Sequence, residues 1–122
     1  MKIATFNINN VVKRLPNLLA WLEAAQPDVV CLQELKAAHR VFPHEALEAA
    51  GYGAVWCGER TWNGVAILAR GVTPVATRYA LPGDDADLQA RYIEAAVRGV
   101  LVTSIYLPNG NPQPGPKFDY KL

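Results

Sequence analysis

Apolar and polar positions alternate over Lys2–Ile8, which predicts a β-strand with Ile3, Thr5 and Asn7 on one face. Asn9 and Asn10 break it. Leu15, Leu18, Leu19 and Leu22 then recur at i, i+3, i+4 and i+7, the single stripe of an amphipathic helix running to about Gln26. Pro27 forbids its continuation. Val29-Val30-Cys31-Leu32 is a short continuous apolar run, the mark of a strand covered on both faces. Pro43–Ala50 reads as a short helix, with Pro43 in its first turn and Gly51 just past its end. Five further strands are predicted at Ala54–Cys57, Val65–Ala69, Val75–Leu81, Tyr92–Val97 and Val100–Tyr106. Arg98-Gly99 is the tight turn of a hairpin between the last two. One strand–helix–strand crossover followed by a run of strands predicts an α/β fold with a mixed sheet.

Beyond the last strand, Leu107–Pro116 carries four prolines and no apolar periodicity, so it reads as a long loop. Phe118 and Leu122 then stand at i and i+4, the beginning of a helix stripe at which the sequence stops. One turn of helix does not persist alone, because nucleation is costly. The expectation is that these residues are the front part of a longer protein.

Composition narrows the class. With 122 residues, 51% hydrophobic and 19% charged, the chain suits one soluble globular domain, not a disordered tail, a coiled coil or a membrane span. Lysine and arginine number 12 against 11 acidic residues, a net charge of +1 that neither argues for nucleic acid nor excludes it. Cys31 and Cys57 both lie in apolar segments and read as reduced, packed thiols. The amino terminus turns polar too soon for a signal peptide, so the expected location is the cytoplasm.

Candidate chemistry gathers where strands end. Asn7 and Asn9 lie at the carboxyl end of the first strand, and Gln33-Glu34 at that of the second. In open α/β sheets such ends form the crevice where ligands bind. Two amides and a carboxylate converging there suit a polar substrate and a hard cation held through oxygen. Spacing alone equally allows Asx turns at the asparagines and a solvated Glu34. His39 lies in a polar connector and His44 at a helix start, neither expected to serve catalysis or a metal, and Asp84, Asp85 and Asp87 read as a solvated turn after Pro82-Gly83.

Five segments occur in order: Phe6-Asn7-Ile8-Asn9, Pro27–Lys36, Trp62–Leu68, Arg91–Ala95 and Tyr106-Leu107-Pro108-Asn109-Gly110. Together they resemble the exodeoxyribonuclease III, abasic-site endonuclease branch of the endonuclease/exonuclease/phosphatase superfamily, over residues 1–122. The resemblance implies a DNase I-like, four-layer α/β/β/α sandwich, of which this chain is the N-terminal portion. It implies Mg²⁺-dependent hydrolysis of DNA phosphodiesters, with Mn²⁺ as a substitute, on duplexes with abasic sites or 3′ ends. Membranes are not expected as partners, and the full-length protein is expected to be a monomer.

Carried over by match, Glu34 is the metal ligand and Asn7 serves both the metal site and the scissile phosphate or attacking water. Asn9 sits beside the metal, Tyr106 donates its phenol to the phosphate oxygens, and Asn109 lines the DNA groove. Trp62 and Arg91 are further candidate substrate contacts, Arg91 alternatively bracing the site through Glu94 or a neighbouring loop. The family's Gly-Asp-x-Asn segment and late Asp-His pair are missing from these 122 residues. The fragment alone is therefore expected to be nearly inactive. It is also expected to be marginally stable, with Val65, Ile67 and Ile105 lining an open sheet face. Two other readings stay open: a superfamily phosphatase or phosphodiesterase acting on inositol phosphates or lipids, and a non-catalytic DNA- or partner-binding half-domain.

Overall fold

The computed structural model describes residues 1–58, 63–79 and 91–106, and its elements follow the hydrophobic pattern closely. Strand β1 (Ile3–Asn7) leads into helix α1 (Leu15–Ala25) and returns as β2 (Val29–Gln33), parallel to β1 with Ile3 opposite Val29 and Asn7 opposite Gln33. Pro16 stands in the first turn of α1, where its missing N–H costs nothing. Gln26 ends the helix in the left-handed conformation, its N–H bonded to the Leu22 carbonyl, and Pro27 follows. A 3₁₀ turn (His39–Val41) and helix α2 (His44–Ala49) precede the antiparallel strands β3 (Tyr52–Cys57) and β4 (Val65–Arg70). The first sheet is mixed, in the order β1-β2-β4-β3. A second sheet, antiparallel throughout, holds β5 (Val75–Arg78), β6 (Tyr92–Val97) and β7 (Val100–Ile105).

Strand β2 lies between two cores, which is why its sequence lacks alternation. Val30 and Leu32 face α1 and α2 with Leu18, Leu22, Phe42, Leu47 and Leu68. Val29 and Cys31 face the second sheet with Val65, Ile67, Ile93, Ala95, Val97 and Val102. The hairpin between β6 and β7 turns at Arg98 (φ 49°) and Gly99 (φ 82°), both left-handed, as the twist of a two-residue hairpin loop requires. The Arg98 guanidinium also donates to the Arg70 carbonyl at 2.9 Å, tying that turn to the end of β4.

Several boundaries differ from the pattern-based expectation. Strand β3 begins at Tyr52 rather than Ala54, because Tyr52 pairs with Arg70 and its hydroxyl donates to the Pro27 carbonyl at 2.8 Å. Strand β5 stops at Arg78, where a register shift between Ala76 and Arg78 disturbs its pairing with β6. The expected exposure of Val65 and Ile67 is overturned: both are fully buried, because β6 and β7 cover them. Ile105 is indeed 44% exposed, on the outer face of the second sheet together with Leu101 and Val75. Both described α-helices pack against the first sheet. Neither cysteine is in a disulfide, as their apolar settings suggested. Among the described residues no helix is long and apolar enough to cross a membrane. The loop at Leu107–Pro116 and the stripe at Phe118 and Leu122 lie outside the described residues.

Candidate functional site

The parallel pairing of β1 and β2 delivers Asn7 and Glu34 to the same end of the first sheet. The Asn7 side-chain amide donates to Glu34 Oε1 at 2.7 Å, while its oxygen accepts the Asn9 backbone N–H at 3.0 Å. The two readings of Asn7 are thus both realised: its oxygen closes an Asx turn, and its nitrogen holds the carboxylate. The Lys36 ammonium donates to Asn9 Oδ1 and stands 3.5 Å from Glu34 Oε2. Two amides, one carboxylate and one ammonium therefore form a continuous cluster.

The backbone carrying this cluster is unusual. Asn9 (φ 48°), Asn10 (φ 91°), Glu34 (φ 54°) and Lys36 (φ 51°) are all left-handed. Asparagine tolerates that region, but glutamate and lysine adopt it at a cost of about 1 kcal/mol or more each, so surrounding contacts must impose it. On one side the N–H groups of Asn10 and Val11 donate to the carbonyls of Glu34 and Leu35 at 3.0 and 2.9 Å. On the other, the N–H groups of Leu35 and Lys36 donate to the carbonyls of Gly64 and Asn63 at 3.2 and 3.0 Å. Gly64 is required there: its φ is +118°, and a β-carbon would sit 2.7 Å from that of Leu35.

The second sheet completes the site. The backbone N–H of Tyr106, the residue after β7, donates to the Arg91 carbonyl at 2.9 Å, so both arrive at one end of the β6–β7 pair. Partial burial, then the charge of Glu34 and a hydrogen bond to it, push the Tyr106 phenol above its usual pKa of 10.0, against the opposing Arg91 charge. Tyr106 is accordingly a protonated donor at neutral pH. Arg91 Nε donates to the side-chain oxygen of buried Asn63 at 3.3 Å, bracing the neighbouring loop rather than Glu94, which instead accepts from Thr77.

Of the residues expected from sequence, Asn7, Asn9, Glu34, Tyr106 and Arg91 are brought to this end of the molecule, and Trp62 and Asn109 lie outside the described residues. Lys36, legible in the sequence only as one of several lysines and arginines that could contact phosphates, is the one that stands on Glu34 and Asn9. Sequence reading missed Asn63, whose only signal was a polar residue beside Gly64 ahead of an apolar strand.

Glu34 is the one anionic donor in the cluster, and no group of three or more His, Cys, Asp or Glu suited to a metal occurs among the described residues. That donor set does not suit zinc, which takes several nitrogen or sulfur ligands. It fits a hard cation of the magnesium type, which is held by one or two carboxylates and keeps waters and substrate phosphate as its other ligands. A groove of about 580 Å³ runs along the β1 edge beside Asn7 and Asn9, with Phe6, Trp21, Arg14 and Asn17 on its walls. A second, of about 420 Å³, is lined by Asn10, Lys13, Lys36 and Arg40.

Residues 4–121 match the Endonuclease/Exonuclease/phosphatase family. The chain belongs to that family. Exodeoxyribonuclease III of Haemophilus influenzae is 40% identical over 114 residues, an alignment covering 90% of this chain and 42% of that protein. The structure of 3′ phosphatase NExo from Neisseria bound to a product DNA hairpin superposes with a TM-score of 0.93 at 42% identity, over 99% of this chain and 47% of that one. An AP endonuclease from Archaeoglobus fulgidus gives 0.91 at 35% identity, over 99% and 46%. The chain thus spans a little under half the length of these relatives. Its fold is that of the Endonuclease/Exonuclease/phosphatase family's exonuclease and AP endonuclease members, with the mixed sheet and flanking helices expected.

Proposed function

We propose that this chain carries the metal-binding part of an exodeoxyribonuclease III-like DNA repair nuclease. The observation that carries the reading is the Glu34 carboxylate, bonded to Asn7 and faced by Lys36 and Tyr106 at the joint end of both sheets. Glu34 is the ligand for Mg²⁺, or for Mn²⁺ in its place, and Asn7 holds that ligand in position. When bound, such an ion offsets the phosphate charge and lowers the pKa of coordinated water. Tyr106 donates its phenol to a phosphate oxygen as charge moves onto it. Arg91 and Lys36 add positive charge on two sides, and Asn9 contacts the phosphate from the Lys36 side. Trp62 and Asn109 are proposed as further contacts along the DNA.

The substrate class is duplex DNA with an abasic site or a 3′ end, which accords with the names of the relatives. Lys13, Lys36 and Arg40 around the second groove suit a phosphodiester backbone passing the site. Residues 1–122 are proposed as part of one domain whose remaining acid–base groups lie outside them. The complete protein is proposed to act as a cytoplasmic monomer. The isolated chain should turn over substrate slowly, by roughly 10²- to 10⁴-fold for each missing acid–base group.

The test pairs Mn²⁺ titration with a fluorescent duplex containing one abasic site. The expected result is Mn²⁺ binding that Glu34→Gln removes, and Mg²⁺-dependent duplex binding. Duplex binding indifferent to both Mg²⁺ and Glu34→Gln would instead support a non-catalytic binding role. Phosphate release from inositol phosphates without any action on the abasic duplex would move the assignment to a phosphatase.

A further inference from the structure

The site is assembled from two sheets, and the core between them is almost wholly apolar. Apolar burial is non-directional, so it holds the sheets together without fixing their alignment closely. Beneath the site, however, three polar side chains form a continuous bridge. Gln33, the last residue of β2, donates from Nε2 to Thr5 Oγ1 on β1 at 3.0 Å and to Ser104 Oγ on β7 at 3.1 Å. Ser104, 1% exposed, in turn donates its hydroxyl hydrogen to the Leu32 carbonyl at 3.0 Å. A glutamine NH₂ has two hydrogens and both are used, and the serine has one, which goes back to β2.

Each end of this bridge lies next to a site residue. Thr5 is two positions before Asn7 on the same face of β1, and Ser104 is two positions before Tyr106 on the same side of the chain. Gln33 itself precedes Glu34. We propose that Gln33 is a positioning residue, clamping β1, β2 and β7 so that Asn7, Glu34 and Tyr106 meet in one geometry. The role is carried by hydrogen bonds because they are directional. Placement at this level matters for phosphoryl chemistry, where a misplacement of about 1 Å costs on the order of 10²-fold in rate. The inference rests on the reading of these three residues as one site, but its geometry is testable without turnover.

The experiment is NMR on the full 122-residue chain, reading cross-relaxation between the Tyr106 ring and the Glu34 side chain and the chemical shift of the Asn7 side-chain amide. Gln33→Met and Ser104→Ala are each expected to abolish the Tyr106–Glu34 cross-peaks while the rest of the spectrum stays folded. Val102→Ala, which loosens the same inter-sheet layer without touching the bridge, is expected to lower Tm and keep them. Thr5→Val, on an exposed position, should shift the Asn7 amide, and Thr5→Ser should restore the wild-type shift. Persistence of the cross-peaks in both Gln33→Met and Ser104→Ala overturns the clamp, as does their absence from the parent chain. Should Gln33→Met or Ser104→Ala fail to fold, an unmoved Asn7 amide in Thr5→Val overturns it. Mn²⁺ added to the same samples tests the metal-site reading separately. Failure to broaden Asn7 or Glu34 in the parent chain would sink that reading and leave the clamp standing.

Discussion

The two ends of the β1–β2 pair each carry a carboxylate beside cations, and they are built for opposite purposes. At one end Asp28 accepts the Lys2 backbone N–H at 2.6 Å and the Arg70 guanidinium at 3.0 Å, and Lys2 Nζ reaches the Ala25 carbonyl. The Lys2 N–H first, and Arg70 next, hold the Asp28 carboxyl below its usual pKa of 3.8. At that end the left-handed residues are a helix cap, Gln26, and turn residues such as Gly71. At the other end Glu34 has an amide donor at 2.7 Å, an ammonium at 3.5 Å and the Tyr106 phenol, on a loop with left-handed backbone at Glu34 and Lys36. A carboxylate bonded to the backbone just ahead of β1 and to an arginine of β4 clips elements together. A carboxylate on a strained loop, held among an amide, an ammonium and a phenol, is arranged to receive something else.

The largest way to break this contrast is through the loop that imposes the strain. Gly64→Ala adds a β-carbon 2.7 Å from Leu35 at φ +118°, and is expected to cost roughly 3 kcal/mol and disorder the Glu34 loop. Gly51→Ala, also left-handed but with open space around it, should cost only about 1 kcal/mol and leave the loop intact. Chemical denaturation of both variants checks the difference; equal losses would show that the Leu35 contact is not decisive.

Carboxylate-to-amide exchange at each end comes next. Glu34→Gln should weaken Mn²⁺ binding by at least about tenfold with little change in Tm. Asp28→Asn should lower Tm and leave Mn²⁺ binding unchanged. Calorimetry for both quantities on both variants decides the matter, and the contrast fails if either variant moves both.

Away from the site, effects appear only at the extremes of pH. Burial pushes the Cys31 thiol from its usual 9.0 up to about 11, while its Sγ donates to the Thr103 carbonyl at 3.8 Å. The folded state therefore disfavours the thiolate. The associated stability, roughly 2–3 kcal/mol, is fully present below pH 9.0 and is lost as pH rises towards 11. Cys31→Ala should flatten that alkaline loss. Asp28 acts at the opposite extreme. Its lowered pKa means its contribution is present above pH 3.8 and is lost as pH falls through the folded value, a loss Asp28→Asn should remove. Unfolding midpoints measured across pH check both signs.

Much of this architecture is legible along the chain because it depends on local periodicity. The leucine stripe from Leu15 to Leu22, the stop at Pro27 and the apolar run after it placed α1 and β2 within a residue or so. The left-handed Arg98-Gly99 pair placed the β6–β7 hairpin for the same reason. Asn7 and Glu34 were also accessible, since a parallel β-α-β unit brings successive strand ends together. The burial of Val65 and Ile67 was not, because a strand pattern shows which face is apolar and not which element covers it.

The boundary between the two kinds of information runs through the site itself. Sequence alone determined which groups stand at which strand ends: amides at Asn7 and Asn9, a carboxylate at Glu34, a phenol at Tyr106. Tertiary structure decided that Lys36 turns back onto Glu34 and Asn9, that Asn63 and Gly64 hold the loop, and that Gln33 reaches Ser104 across 71 positions of sequence. Periodicity is set by neighbours within a turn or a pleat. The φ angle of Glu34 and the alignment of the two sheets are set by hydrogen bonds between residues far apart in the chain, and those exist only once the cores have formed.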